Sequence, residues 1–159
     1  MDTDKHRLKK ALKNILNVKI RKLKIGDYDE LIELWQKAKL SYRPYGRDRR
    51  DNIESQLKQK YSIFLVAEIE GRIIGSIFGT HDGRRGWINR LAVLPDYQRQ
   101  GIAARLVKKV EKQLTQQGID IVASLIEDKN QVSMKVFERL GYKKHNDIVY
   151  FSKRKNPRV

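Results

Sequence analysis

Cysteine is absent from the 159-residue chain, and with it any disulfide framework and any thiolate nucleophile or metal ligand. Histidine is almost as scarce. His6, His81 and His145 are scattered without metal-ligand spacing, so no metal is expected. No apolar run approaches the roughly 20 residues that would span a bilayer. The opening residues, MDTDKHRLKK, lack the apolar core of a signal peptide, which leads to the expectation of a soluble, intracellular, cytoplasmic protein. Acidic residues are also in short supply: 19 Asp+Glu face 35 Lys+Arg, for a net charge of +16. Such an excess attracts polyanions, whether nucleic acid, a phosphate-rich cofactor or an acidic substrate. The excess lies before Lys24 and from Arg105 onward, and the middle of the chain is nearly balanced. No aromatic-laced, Gly-rich RNA-reading strand is visible. A lysine-rich solvated surface, of a kind also common in heat-adapted proteins, is the plainer account of the charge.

What is present fits one domain with a real core. Leu8, Ala11, Leu12, Ile15 and Leu16 share one stripe of a helix over residues 5–17, whose other face is basic. This extension either packs on the domain, frays, or lies on a membrane or partner. The alternating VKIRKL predicts a first strand. GDYDELIELWQKAKL predicts a helix with Asp27 as its N-cap, stopped at SYRPYG, and RDNIESQLKQK predicts a second, short helix. Two β-rich runs around Glu70-Gly71 predict a hairpin, and WINRLAV another strand. A helix follows to about Gln117, stopped by Gly118. DIVASLIE predicts a strand and NQVSMKVFERLG a helix. YKKHNDIVYFSKR predicts two short strands around a turn at Asn146-Asp147, before a frayed basic tail over 154–159. The order β-α-α-β-β-β-α-β-α-β-β argues an α/β fold with a mixed sheet and helices on its faces.

The most informative stretch is LAVLPDYQRQGIAARLVKKVEKQL, residues 91–114. An apolar strand end, a polar loop with one glycine and an amphipathic helix follow one another. A helix start leaves backbone N–H groups without partners, and its dipole favours negative charge. Gln98, Arg99, Gln100, Gly101, Ile102, Ala103 and Ala104 present such groups in series. Gly101 has no Cβ to hold a ligand off, Ala103 is nearly as small, and Arg99 and Arg105 add positive charge. This is chemistry for a phosphate or diphosphate, although a glycine here also serves as a plain turn residue. No Walker-type or dinucleotide-type glycine loop occurs elsewhere.

Two motifs in order resemble the GNAT superfamily, the Gcn5-related N-acetyltransferases. The first is the strand, then Gln98-Arg99-Gln100-Gly101-Ile102-Ala103, then a helix. The second is the strand VASLIE, then Asn130, then a helix closing on Leu140-Gly141-Tyr142. The resemblance covers about 19–152 and is closest in feel to small microbial YpeA-like members, in which a FLVAE strand and a DG-x-RG loop recur. It implies a GNAT fold: a mixed, mostly antiparallel sheet with helices on both faces, here with an extra N-terminal helix over 1–17 and a domain over 18–153. It implies acetyl-CoA as co-substrate, cradled by residues 98–104. Leu91, Ala92 and Val93 would lie along the pantetheine arm, Asn130 would contact that arm or order the loop, and Phe137 would sit beside it.

The implied reaction is acetyl transfer to a primary amine by direct attack. The Val93 N–H would stabilise the developing oxyanion. A small amine and the amine of a peptide or protein are both open as acceptors. So is a non-enzymatic RNA- or ribosome-binding role on the same scaffold, and so is a homodimer. Many family members place a tyrosine acid seven residues after the motif asparagine. Counting from Asn130 gives Phe137, so that phenol is missing here. Tyr142 and Tyr150 are the candidate substitutes. Glu127 and Glu68 are candidate bases or merely surface carboxylates, and Asn89 is a candidate to hold a water. In the loop SYRPYGRDRR, Tyr42, Arg43 and Tyr45 would wall an acceptor pocket, with Arg43 forking a carboxylate, or else form an exposed loop.

Overall fold

The computed structural model describes residues 2–159. Its single open sheet runs in the order β1 (Lys19–Lys22), β2 (Ile63–Ile69), β3 (Arg72–His81), β4 (Gly86–Val93) and β5 (Val122–Ser124). The first four strands are antiparallel neighbours, and β5 joins β4 in parallel. The helices are α1 (Asp2–Asn17), α2 (Tyr28–Lys37), α3 (Arg50–Leu57), α4 (Ile102–Gln116) and α5 (Gln131–Arg139). The mixed, mostly antiparallel sheet with helices on both faces is thus present, as is the additional helix before β1.

Strand alternation explains the two faces. On β3, Gly75, Ile77 and Gly79 turn one way, and Ser76 and Phe78 the other. The first face is a trough for α4. A Cβ on Gly75 would come 3.2 Å from Leu106 Cδ1, and one on Gly79 would collide with Val110. On β4, a Cβ on Gly86 would come 2.8 Å from Leu114 Cδ1. These three α4 side chains, with Val107, are fully buried. The missing side chains let α4 lie close to the sheet, which fixes where its N-terminus points. On the opposite face Trp35 of α2 packs edge-on against Phe78, with ring centroids 5.5 Å apart. Phe78 stacks on Phe64 at 3.8 Å. The β2–β3 turn places both Glu70 and Gly71 at positive φ, the geometry of a two-residue hairpin turn that follows the strand twist.

Several expectations are corrected. α2 ends at Lys37, well ahead of Pro44, because Lys39 turns left-handed at φ +55°. Asp27 does not cap α2 through its side chain. Its carboxylate accepts the Lys24 N–H at 2.8 Å and pairs with Arg21 at 2.7 Å, closing a short 3₁₀ turn. Arg21 also engages Glu68 at 2.9 Å, so that carboxylate is a structural partner at the β1–β2 seam. β5 is three residues long rather than eight. The two strands expected in 142–153 do not form, and Ile148, Val149, Tyr150 and Phe151 are exposed. A strand exists only where a neighbour takes its hydrogen bonds, and no described residue pairs with this run. The tail stays exposed over 151–158 and touches the domain near Gly46, where a Cβ would lie 2.6 Å from the Arg158 carbonyl.

Candidate functional site

The site begins where β4 and β5 part. Their parallel pairing covers Gly86–Ile88 and ends at Ile88 opposite Ser124, whose hydroxyl donates to the Ile88 carbonyl at 2.9 Å. Beyond that point β4 has no strand partner on its β5 side among the described residues. On its other side, pairing jumps from Phe78 opposite Asn89 to Ser76 opposite Ala92, so a bulge holds Arg90 and Leu91. Arg90 sits at φ +55°, and the Ser76 hydroxyl pins its carbonyl at 2.8 Å. The Leu94 N–H donates to Ile74 on β3. Antiparallel alternation therefore turns the Val93 N–H, and the Leu91 N–H before it, into the open gap. The Val93 carbonyl is held by the Gln98 amide at 3.0 Å, which ties strand to loop.

The gap leads to the start of α4. Gly101, the residue before the helix, has φ +78°, and Arg99 has φ +61°. No side chain caps this helix, and its first turn carries no acid. The first helical bond runs from the Arg105 N–H to the Gly101 carbonyl. The N–H groups of residues 99–104 have no acceptor among the described residues. A Cβ on Gly101 would meet nothing within 4 Å, so the concavity opens to solvent. The Gln100 Oε1 atom is buried without a partner among the described residues. Ile102 is a buried anchor that contributes only its backbone here, and Ala103 and Ala104 keep the rim low. An uncapped run of N–H groups around a left-handed glycine fits a diphosphate.

Arg105 is placed differently from what its charge suggested. Its guanidinium donates to the Ile15 and Val18 carbonyls, both at 3.1 Å, and so caps the end of α1. Arg105→Ala is therefore expected to cost about 1 kcal/mol and to speed amide exchange along α1. Acetyl-CoA affinity should be unchanged, and calorimetric titration of wild type and variant checks this. α1 in turn walls a groove of about 390 Å³ beside the loop, lined by Arg7, Lys10, Asn14 and Gln100 among others.

The remaining expected residues separate. Asn130 accepts the Ser133 N–H at 3.1 Å and is the N-cap of α5, so its carbonyl oxygen orders the helix start. Phe137 is buried and meets Tyr142 edge-on at 4.9 Å. The Tyr142 hydroxyl donates to Glu111 on α4 at 2.9 Å. Burial, and then Glu111, push its pKa far above the usual phenol value, so it is a locked core group. Tyr150 is exposed on the unpaired run. Glu127 is exposed and ion-paired with Lys129 at 3.3 Å. That contact, reinforced by Ser41 and Arg47, holds its carboxyl below the usual range and makes it a weaker base. Asn89 is exposed at the mouth of the gap. Tyr42 leans on α2, accepting from the Gln36 amide at 2.6 Å with its ring 6.3 Å from that of Trp35. The Arg43 side chain is exposed, and Tyr45 is 83% exposed, so the three do not form a closed wall.

Sequence reasoning missed a pair. Asp48 is buried and takes the Arg90 guanidinium from two nitrogens, at 2.7 and 3.1 Å. The only available signals were an arginine inside the apolar WINRLAV and an acid inside the basic YGRDRR. Neither says that they meet.

The sequence profile of the Acetyltransferase (GNAT) family matches residues 28–142. Acetyltransferase SG1711 of Sodalis glossinidius (strain morsitans) is 34% identical over 137 residues, covering 86% of this chain and 95% of that protein. Among solved structures, the aminoglycoside 6'-N-acetyltransferase AAC(6')-IG of Acinetobacter haemolyticus superposes with a TM-score of 0.71 at 22% identity, over 87% of this chain and 99% of its own. The PaiA N-acetyltransferase of Thermoplasma acidophilum, in complex with coenzyme A, gives 0.72 at 20% identity, over 82% and 92%. The two structures share the fold, and the profile and the Sodalis relative settle the lineage. The chain belongs to the GNAT family of acetyltransferases.

Proposed function

We propose that the protein transfers the acetyl group of acetyl-CoA to a primary amine by direct attack. The observation that carries this reading is the continuity of two open backbone edges. The unpaired side of β4 at Leu91 and Val93 runs into the uncapped N–H groups of residues 99–104. A cofactor with a diphosphate at one end and an amide-bearing arm at the other matches that sequence of donors. Bound there, acetyl-CoA supplies the activated acetyl thioester. The N–H groups of 99–104 would hold its phosphates, and Leu91, with Ala92 behind it, would guide the arm. The Val93 N–H would face the carbonyl oxygen as charge develops on it. A neutral amine forms the C–N bond as the C–S bond breaks. The amine gives up a proton and the sulfur departs as thiolate. Glu127 or a water on Asn89 would take that proton. Phe137, at the position where the resemblance implies a phenol, is an apolar ring and would supply no proton.

The acceptor is a small amine or the amine of a peptide. The loop at the mouth of the gap carries Arg43, Arg47, Arg49 and Arg50. Its one acid, Asp48, is engaged by Arg90, and Arg49 pairs with Asp51 at the start of α3, which leaves Arg43, Arg47 and Arg50 as the excess positive charge. Amines bearing a nearby carboxylate are therefore favoured over polycationic ones.

The test is thermal stabilisation by acetyl-CoA, followed by thiol release and mass detection of an acetylated product. The acceptor panel comprises acidic peptides with free N-termini, lysine peptides, polyamines and aminoglycosides. Absence of both stabilisation and turnover sinks the proposal. With the best acceptor, the rate is expected to rise toward alkaline pH as the amine loses its proton. No falling limb is expected near the ordinary tyrosine pKa of about 10. A falling limb that disappears in Tyr150→Phe would show instead that a phenol serves as acid.

A further inference from the structure

Arg90 is an unusual residue for the middle of a strand. It has a left-handed backbone, a long charged side chain and little exposure. Arginine gains nothing from φ +55°, so the conformation persists because the surroundings hold it. Three elements do so. From β3, Ser76 binds its carbonyl at 2.8 Å and is itself held by the Trp35 Nε1–H at 3.0 Å. From α2, the Trp35 ring lies 5.0 Å from the guanidinium carbon. From the loop after α2, Ser41 accepts Arg90 Nη1 at 2.6 Å, and Asp48 takes the other nitrogens. Asp48 also accepts the Arg43 N–H at 2.7 Å, while its own carbonyl takes the Tyr28 hydroxyl at 2.8 Å. The loop 41–48 is thereby fastened to the bulge immediately before Leu91 and Val93.

We infer that the Asp48–Arg90 pair is a positioning strut. It holds the loop 41–48 over the open end of the β4–β5 gap and so sets how an amine acceptor enters, without contributing to cofactor binding. The inference rests on the acetyl-transfer reading and names the residues that shape its acceptor side. The planar guanidinium is required, because one group must serve two Asp48 oxygens and the Ser41 carbonyl at once. A lysine can reach only as a point charge.

The experiment uses the full chain and the best amine from the panel above. Asp48→Asn and Arg90→Lys are each expected to raise the acceptor KM at least tenfold. Acetyl-CoA affinity, measured by calorimetry, should stay within a few-fold of wild type, and the chain should remain folded by circular dichroism. Arg90→Lys should not rescue the acceptor KM, which separates fork geometry from charge. A variant that loses stability but keeps the wild-type acceptor KM overturns the inference and leaves the pair a structural salt bridge. So does equal loss of acetyl-CoA affinity, which would make it part of the cofactor site. Should wild type itself show no turnover with any amine, the acetyl-transfer reading fails, a result distinct from either of these.

Discussion

Gly101→Val is expected to abolish stabilisation by acetyl-CoA while leaving a folded protein. Two features of the position decide this. Its φ of +78° strains a branched residue, by an order of 1–2 kcal/mol, which a domain stable by about 5–15 kcal/mol survives. A Cβ placed there meets no protein atom within 4 Å, so the isopropyl group projects into the concavity instead of into the core. Any phosphate seated on the N–H groups of 99–104 would meet it. At acetyl-CoA concentrations 100 times Kd, wild type should gain about 2.7 kcal/mol, which is roughly 5–11 °C in Tm for a chain of this size. The variant should gain less than about 1 °C at the same concentration by the same linkage. Gly101→Ala, with the smallest side chain at the same φ, should fall between them. A full wild-type shift in Gly101→Val would move the diphosphate away from the α4 start.

Trp35→Ala should be the most damaging single core change. The residue is fully buried. Its ring packs on Phe78 and Tyr42 and underlies the Arg90 guanidinium, and its N–H supports Ser76, which in turn pins the bulge. Truncation should cost about 3–5 kcal/mol, from lost burial and an unrelaxed cavity. Trp35→Phe keeps a ring and removes the donor. Ser76 then still donates to the Arg90 carbonyl, so about 1–2 kcal/mol is expected. Urea unfolding followed by circular dichroism reads both values at an unchanged slope. A loss below about 1.5 kcal/mol for Trp35→Ala would show that the indole is not the support on which the bulge rests.

The parts of this molecule that were legible in its sequence are those that short-range rules encode. The stripe of Leu106, Val107, Val110 and Leu114 announces α4 because a helix repeats every 3.6 residues. Glu70-Gly71 announces a hairpin because few residues tolerate two successive positive φ angles. Gly101, followed by small residues and a helix, announces an uncapped helix start with open clearance because both the donors and the clearance come from one continuous segment. The tertiary structure decided whatever depends on which distant segments meet. YKKHNDIVYFSKR has strand-like alternation, but a strand needs a neighbour, and none of the described residues supplies one. Arg105 has the charge to meet a phosphate, yet the nearby end of α1 claims it. Tyr142 has a phenol, and Glu111, 31 residues back, accepts its hydrogen bond and keeps it protonated. Asp48 and Arg90 lie 42 residues apart and have no pattern that links them. Periodicity records only what a residue's own turn or strand requires. Long-range pairing is chosen by the whole packed chain, and it is this pairing that sets the bulge and opens the gap between β4 and β5.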